Sequence, residues 1–179
     1  MTISIELCSD PELLQDYFRL RERCYRQDLQ LSDFSGDREV ADQFGQILLA
    51  HDGRQCVGGA RIVPASTMAW GLPRSEILLG KSCAWERAIL DPGARSLALA
   101  REFCAKLVSE SYKMGYKQAL VLSSLRNARY YRRCHNALGV DFRIARALPV
   151  PQRGPFRDLE HYLSISSFRS EPTIAKLVA

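Results

Sequence analysis

The first helix pattern in the chain carries an arginine on its apolar face. Residues 3–8 alternate between apolar and polar and predict a strand, after which the serine or the aspartate before Pro11 can cap a helix. That helix, over residues 11–29, has apolar positions at spacings of three and four, with Arg21 among them. An arginine in such a face either extends its charge to solvent or binds a partner.

A turn-rich segment and a hairpin follow. Residues 29–45 show no sustained period and are rich in acids, which predicts a loop with a helical turn. An Asp-Gly pair at 52–53 between two apolar runs predicts two strands joined by a tight turn. Residues 67–82 are expected to form an irregular excursion before a strand over 83–90, which a Pro-Gly pair ends.

The second half of the chain alternates helices with strands. Helices are predicted over residues 95–114 and, capped by Asn127, up to residue 138. The run 117–124 is apolar without alternation, which predicts a central strand covered on both faces, and two more strands are expected within 142–168. The order β-α-loop-β-β-β-α-β-α-β-β predicts the α/β (α+β) class, with a mixed, mostly antiparallel sheet flanked by helices.

Composition bounds the class of protein. The 179 residues are 46% apolar and 25% charged, so we expect one soluble domain over 1–179, in the cytoplasm, because the chain opens without a secretory signal pattern. No apolar run is long enough to span a bilayer. Six scattered cysteines, never spaced as C-x-x-C, predict free thiols and no metal site. The net charge of +5 suggests an acidic partner: nucleic acid, a phosphorylated cofactor or an acidic carrier protein.

A strand-turn-helix joint over residues 86–103 has the chemistry of a phosphate site. After the Pro-Gly break it places Arg95 and two small residues, Ala98 and Ala100, at the start of a helix. The first amides of a helix lack partners inside it, and the helix dipole favours an anion there. Packing of the helix start without any ligand is the alternative reading.

This joint resembles one found in GNAT acyltransferases. Its Arg-x-x-Ala-x-Ala spacing is similar to the Q/R-x-x-G-x-G/A loop with which that superfamily holds the pyrophosphate of coenzyme A, and the element order agrees over residues 3–163. The resemblance implies the GNAT fold, with a splayed strand pair that holds an acyl thioester. It implies a cofactor site made of these residues: Leu90, whose amide would hold the thioester oxygen, with Arg95, Ala98, Ala100 and Asn127.

The front half of the chain resembles one GNAT branch, the acyl-homoserine-lactone (autoinducer) synthases. In these, an R-x-x-x-F/Y helix precedes a D-x-F-D loop and a strand ending in A-R-L-L-P-T. The matching positions here are Arg21, Tyr25, Asp42, Phe44 and Arg61. The resemblance implies transfer of a fatty acyl group from acyl-carrier protein or acyl-CoA to the amine of an amino-acid-like acceptor, which in the autoinducer synthases is S-adenosylmethionine.

The chain also departs from that branch. The second loop aspartate is Gly45, and the strand motif E-L-S-R has become AWER, so Arg87 matches while the acid is replaced by Ala84. Glu86 is the nearest substitute, but we expect a residue adjacent to Arg87 in a strand to point to the opposite face. The segment 130–139, YYRRCHNALG, is similar to a Y-R-R segment of the N-acyl amino acid synthases.

Acyl transfer to an amine needs a base, a polarised carbonyl and a route for the leaving thiolate. Asp42 or Glu86 are candidates for the base, and Tyr131 matches the GNAT tyrosine that protonates the thiolate, with a structural role as its alternative. The remaining candidates bind substrates. Arg21 and Arg61 would hold an acceptor carboxylate or order the loop through its acids. Ser123 and Ser124 would lie where the splayed strands admit the acyl chain, and Tyr25, Phe44 and Arg87 are the other predicted substrate-binding residues.

Other features leave several functions open. Four arginines between residues 126 and 133 are either a solvated face or a site for an acidic carrier protein or for the 3'-phosphate of coenzyme A. Trp70 either packs or lines an acyl pocket. An acyltransferase is expected, with a GNAT N-acetyltransferase that uses acetyl-CoA, or a non-catalytic GNAT-like binding module, as alternatives. Nucleic acid is not expected as the partner, because no clear aromatic platform accompanies the arginines.

Overall fold

The computed structural model describes residues 2–67, 78, 80–151 and 154–168, and within them the predicted order of elements is confirmed. Most of the excursion predicted over 67–82, including Trp70, lies outside the described residues. The strands are β1 Ser4–Leu7, β2 Gln46–His51, β3 Cys56–Pro64, β4 Ser82–Leu90, β5 Gln118–Ser123, β6 Asp141–Ala147 and β7 Tyr162–Ser167. The helices are α1 Pro11–Asp28, α2 Leu97–Lys113 and α3 Leu125–Leu138, with a short 3-10 helix at Val40–Gln43.

All seven strands join one sheet in the order β1-β2-β3-β4-β5-β7-β6. Only the β4–β5 pair is parallel, so the expected mixed, mostly antiparallel sheet is confirmed. The predicted central position of β5 is also confirmed, since it lies between β4 and β7. Its first four residues are buried, as its continuous apolar pattern requires.

Helices cover the two faces of the sheet unequally. On one face α2 and α3 pack on a large core in which Leu48, Trp85 and Phe142 are buried beneath Leu107. On the other, α1 covers only the β2–β3–β4 part, where Tyr17 and its neighbours pack against the strands. We call this second side the α1 face. Its remaining part, over β5 and β7, lies beside α1 and holds a smaller buried cluster that includes Leu120, Leu163 and Ile165.

The helix caps correct one prediction. Asp10 caps α1 by accepting hydrogen bonds from the two amides at Glu12 and Leu13. For α3, however, Asn127 is not the cap: the helix begins two residues earlier, and Ser124 Oγ accepts from the Asn127 amide at 3.3 Å. A serine hydroxyl reaches the third helical amide from the N-cap position, so either polar residue satisfied the sequence pattern.

A β-bulge interrupts β4. The β3–β4 register pairs Gly59 with Ile89 but Arg61 with Glu86, so Ala60 faces two residues of β4, one of them Arg87. The extra residue bends the strand locally, and Arg87 takes the left-handed conformation with φ 56°. A non-glycine residue held in that region is strained and is found disproportionately at functional sites.

The strands β4 and β5 separate just before the bulge. Their parallel pairing runs from Ser82 with Gln118 to Trp85 with Val121 and then stops, although β4 continues to Leu90. β5 pairs with β7 along its whole length, but its last two residues have no partner on β4. The splayed strand pair expected from the sequence is therefore present.

Candidate active site

Three arginines and three carboxylates form one network beside the splay. Its members come from α1, the 3-10 helix, β3 and β4, and all are buried or partly buried. They are Arg21, Arg61, Arg87, Glu39, Asp42 and Glu86. Because the formal charges cancel, the network is neutral, which lowers the cost of holding six charges away from bulk water.

Arg21 orders the loop after α1. Its side chain has no exposed surface and donates to the Asp42 carboxylate at 3.3–3.4 Å, to Gly36 O at 3.0 Å and to Asp37 O at 2.6 Å. Its guanidinium carbon lies 4.9 Å from the centre of the Phe18 ring. Of the two predicted alternatives, this geometry favours ordering of the loop, since the buried guanidinium is out of reach of an acceptor.

Arg61 is the hub of the network. It is 2% exposed and its Nη1 donates to Asp42 at 2.7 Å and to Glu39 at 2.8 Å, while its Nε and Nη2 both donate to Glu86. Burial by itself favours the neutral guanidine, but the Glu86 and Asp42 carboxylates outweigh it, and the pKa of Arg61 lies above its ordinary value. Arg61 is therefore a fixed cation.

Sequence reasoning missed Glu39. Its carboxylate takes a bidentate pair of bonds from Arg87, with Nη2 at 2.7 Å and Nε at 3.0 Å, and also binds Arg61. Burial would raise the pKa of Glu39, but the Arg87 and Arg61 charges hold it below the usual value. The amide of Glu39 donates to Asp42 Oδ2 at 2.7 Å. An acid three residues before Asp42, at the start of a helical turn, was the available signal.

The expectation for Glu86 was wrong, and the bulge is the reason. A regular strand would turn Glu86 and Arg87 to opposite faces. Here Glu86 binds Arg61 and Arg87 binds Glu39, so both side chains join the same network. Gly45 leaves no room for an acid: a Cβ there would lie 2.6 Å from Val63 Cγ1.

Solvent access separates the carboxylates. The Asp42 side chain has no exposed surface, whereas that of Glu86 is 22% exposed. Of the two predicted bases, only Glu86 can therefore meet an amine that enters from the splay. Asp42 instead bridges Arg21 and Arg61 and links α1 to β3.

Tyr25 and Phe44 differ in environment. Tyr25 lies at the end of α1, 4.6 Å from the Phe34 ring, where burial raises the pKa of its phenol. Phe44 is 65% exposed and, with Val40 at 71%, forms an apolar tip on the loop. The structure places Phe44 at the surface and outside the network, so its substrate-binding role stays a prediction.

A cleft of about 600 Å³, not foreseen from the sequence, opens between α1, the loop and the start of β2. Asp42 and Phe18 lie in its wall with side chains of both signs, including Arg19 and Glu22. The cleft therefore approaches the network from the side of α1.

The Leu90 amide points into the splay. Asp91 N–H donates to Val57 O at 2.8 Å, which makes these two residues a hydrogen-bonded pair of the antiparallel β3–β4 ladder. Such pairs alternate, so at the next pair, Gly58 and Leu90, the N–H and C=O of Leu90 point away from β3. On that side β5 has diverged, because its pairing with β4 ends at Trp85.

The start of α2 retains unpaired amides. Ser96 Oγ accepts from Leu99 N–H at 3.0 Å, and Ser96 O accepts from Ala100 N–H. Within the described part of the chain, the amides of Leu97 and Ala98 meet no acceptor. Ala98 is exposed beside them, as the predicted phosphate site requires.

Two other residues of that predicted site have different roles. Arg95 pairs with Asp28 and donates through Nε to Leu90 O at 2.9 Å, so it ties the joint to α1. Ala100 is 3% exposed and packs against Cys104 and Cys134, while its amide is already bonded. The second small residue therefore serves the packing of α2 on α3, and its contact with a cofactor stays a prediction.

The predicted residues of α3 and of the end of β5 are mostly occupied by local contacts. Ser124 caps α3, Ser123 Oγ donates to Ser124 O at 3.3 Å, and Asn127 is exposed in the first turn. Tyr131 stacks on Phe142 with ring centres 6.3 Å apart, and burial raises the pKa of its phenol, which is therefore protonated at neutral pH. These contacts leave Tyr131 available as a hydrogen-bond donor.

The charge on α3 is of one sign. The helix has no acidic residue, and its four exposed arginines form no ion pair with any described residue. They are Arg126, Arg129, Arg132 and Arg133. Among the described residues, no group of His, Cys, Asp and Glu is arranged to hold a metal ion, and no helix has the length and apolar character to cross a bilayer.

No protein-family model and no curated protein sequence matches the chain. Solved structures do resemble it. The CoA-dependent acyl-homoserine lactone synthase MesI gives a TM-score of 0.70 at 19% identity, covering 97% of this chain and 93% of its own. BjaI, another such synthase, solved with SAM and isopentyl-CoA, gives 0.67 at 18%, covering 98% and 86%.

A more distant enzyme class resembles the chain almost as well. An acyl-CoA N-acyltransferase from Pseudomonas aeruginosa gives a TM-score of 0.66 at 11% identity, covering 92% of this chain and 99% of its own. At such identities the likeness concerns the course of the backbone. Together with the splayed β4–β5 pair and the bulge in β4, it shows that this protein has the GNAT fold.

Proposed function

We propose that this protein is an acyltransferase that moves an acyl group from an acyl thioester to the amine of an amino-acid-like acceptor. The observation that supports it most is that β4 carries two groups suited to the reaction. One is the carboxylate of Glu86, which Arg61 holds and which reaches solvent, and the other is the backbone amide of Leu90, which points into the splay. A base and an oxyanion donor on one strand are what attack on a thioester needs.

In the proposed reaction the acceptor nitrogen forms a bond to the thioester carbon. Glu86 takes the proton of the amine, directly or through one water, and the Leu90 amide stabilises the oxygen of the tetrahedral intermediate. The C–S bond then breaks, and Tyr131 or solvent protonates the thiolate. The free amides of Leu97 and Ala98 would hold the phosphates of the donor.

Apolar residues of β5 and β7 on the α1 face favour a donor chain longer than acetyl. Leu120, Leu163 and Ile165 form a buried cluster there, with the partly buried Leu122 and Leu148 packed against it. An acyl chain entering the splay would contact the surface that Leu122 and Leu148 still expose and remove apolar area from water. BjaI, of the same fold, was solved with a branched acyl-CoA. Acyl-CoA and acyl-carrier protein both remain candidate donors, the latter because of the arginines of α3.

The test is an acylation assay read by mass spectrometry. The protein is incubated with acetyl-, octanoyl- or isopentyl-CoA or with octanoyl-carrier protein, and with S-adenosylmethionine or a mixture of amino acids. We expect an N-acylated product with a medium-chain or branched donor. Product from acetyl-CoA alone would favour the N-acetyltransferase alternative. Absence of any product, with coenzyme A binding intact by calorimetry, would favour a non-catalytic binding module.

A further inference from the structure

The loop between β6 and β7, residues 148–161, reaches across the sheet to the network. Residues 152–153 are not described, but the rest is tied by its own backbone bonds, such as Asp158 N–H to Pro151 O at 3.0 Å. Because β6 is an edge strand and β4 lies three strands away, the loop spans about 14 Å of sheet to bring Phe156 to β4. It therefore covers the part of the α1 face that α1 leaves open.

The ring of Phe156 packs against the side chain of Arg87. The guanidinium carbon of Arg87 lies 4.6 Å from the centre of the Phe156 ring and 5.8 Å from that of Phe34. The Phe156 and Phe34 centres are 6.0 Å apart, and the Tyr25 ring lies 5.9 Å from Phe156. Two aromatic rings thus lie within cation–π range of one guanidinium, and the Tyr25 ring packs beside both of them.

Arg87 is held on its edge as well as on its face. Glu39 accepts from its Nε and Nη2, so the guanidinium protons that Glu39 does not bind, two on Nη1 and one on Nη2, remain for Tyr25 and for a ligand. The side chain is 19% exposed, and its backbone is in the strained conformation of the bulge. A guanidinium fixed in this way presents its last donors in one direction, as recognition of a carboxylate requires.

We infer that Phe156 is a positioning residue of the acceptor site: its ring holds Arg87 in the orientation that binds the acceptor carboxylate. This inference rests on the proposed function. It concerns a residue outside the motifs that carry the sequence resemblances. Phe156 acts through Arg87, so it should affect acceptor binding and not the chemical step.

Steady-state kinetics with three variants provide the test, with octanoyl-CoA as donor and S-adenosylmethionine or methionine as acceptor. Phe156→Leu keeps apolar bulk without an aromatic face, Phe156→Tyr keeps the face, and Arg157→Ala alters an exposed neighbour. We expect Phe156→Leu to raise the acceptor KM about tenfold, as loss of a cation–π contact predicts, with donor KM and kcat within about twofold. Phe156→Tyr and Arg157→Ala should resemble the wild type. An unchanged acceptor KM in Phe156→Leu would overturn the inference while leaving the proposed function standing.

A second measurement does not depend on turnover. Phenylglyoxal modifies accessible guanidinium groups, and peptide mapping reads its rate at Arg87. We expect faster modification of Arg87 in Phe156→Leu than in the wild type, Phe156→Tyr or Arg157→Ala. Equal rates in all four proteins would show that Phe156 does not hold Arg87. A wild-type protein that acylates no acceptor would overturn the proposed function, and this inference about acceptor binding with it.

Discussion

The carboxylates of the network differ in what they can do, although all of them bind arginine. Asp42 is enclosed between Arg21 and Arg61, whereas Glu86 keeps contact with solvent and stands on the strand that carries the Leu90 amide. A base must reach the proton that it removes. Both residues are carboxylates, so their different exposure decides which of them can act as the base. Sequence spacing identified both residues but had no means of ranking them.

Replacement of Glu86 tests that assignment. Glu86→Gln keeps a hydrogen-bond acceptor for Arg61 but removes the base, so we expect kcat to fall by about 10²–10⁴-fold. Glu160→Gln, on the exposed β6–β7 loop, is the matched control and should leave kcat unchanged. Thermal unfolding of each variant checks the fold. A folded Glu86→Gln enzyme with wild-type kcat would exclude Glu86 as the base.

Gly45 stands where the autoinducer synthases have the second loop aspartate, and the surrounding backbone leaves no space for a side chain. A Cβ at this position would come within 2.8 Å of Ile62 O and 2.6 Å of Val63 Cγ1, and a backbone oxygen cannot move aside cheaply. We expect Gly45→Ala to lower the free energy of unfolding by about 1–3 kcal/mol, by overpacking. Gly53→Ala is the comparison, since nothing lies within 4 Å of its Cβ site. Its φ of 91° nevertheless adds a strain of about 1 kcal/mol. A loss at Gly45 no larger than that at Gly53 would contradict the close approach of β3.

At the scale of elements, β4 shapes the candidate site through two irregularities. The bulge turns Glu86 and Arg87 to one side, and the end of pairing with β5 frees the Leu90 amide. Gly59 supports this geometry, because the Tyr17 ring occupies the place of a side chain there and its hydroxyl donates to Arg87 O at 3.0 Å. The α1 helix thus fixes the backbone of the bulge.

The start of α3 offers a direct comparison of a predicted cap with the observed one. Ser124 Oγ accepts a helix amide, while the Asn127 side chain is exposed one turn later. We expect Ser124→Ala to lower the free energy of unfolding in urea by about 0.5–2 kcal/mol, and Asn127→Ala to change it little. The opposite order of effects would restore Asn127 as the cap.

At the scale of the whole molecule, His135 packs α3 against two strands of the sheet, β4 and β6. It has no exposed surface and lies between the rings of Trp85 and Phe142, with centres 5.6 and 4.6 Å away, and its Nδ1 donates to Tyr131 O. Burial lowers the pKa of His135 to about 4. The folded protein therefore keeps this ring neutral under conditions where the unfolded chain protonates it.

This difference predicts a pH dependence of stability. Below an unfolded pKa near 6.5 the unfolded state binds the extra proton, so stability falls as pH decreases from about 6.5 to about 4, by up to about 3 kcal/mol. In His135→Phe, which keeps a ring between Trp85 and Phe142, urea unfolding at pH 7 and pH 5 should show a smaller loss. An equal loss in both proteins would mean that His135 does not contribute to it.

The order of elements could be predicted because strands and helices follow local periods and turn residues. Arg21, Asp42 and Arg61 could be predicted because these positions match motifs of the autoinducer synthases. Glu39 was missed because its partners, Arg61 and Arg87, are 22 and 48 residues away and meet it only after the sheet forms. No local pattern in the sequence shows that residues so far apart along the chain will meet.

The sequence alone determined the fold class, the sheet-forming segments and the types of charged residue available for the site. Tertiary structure alone decided which of them meet: the bulge that brings Glu86 beside Arg61, the packing that buries Ala100, and the crossing of Phe156 to Arg87. The physical reason is that backbone periodicity is set by neighbouring residues. Register, bulges and long-range ion pairs are set by the free energy of the assembled core.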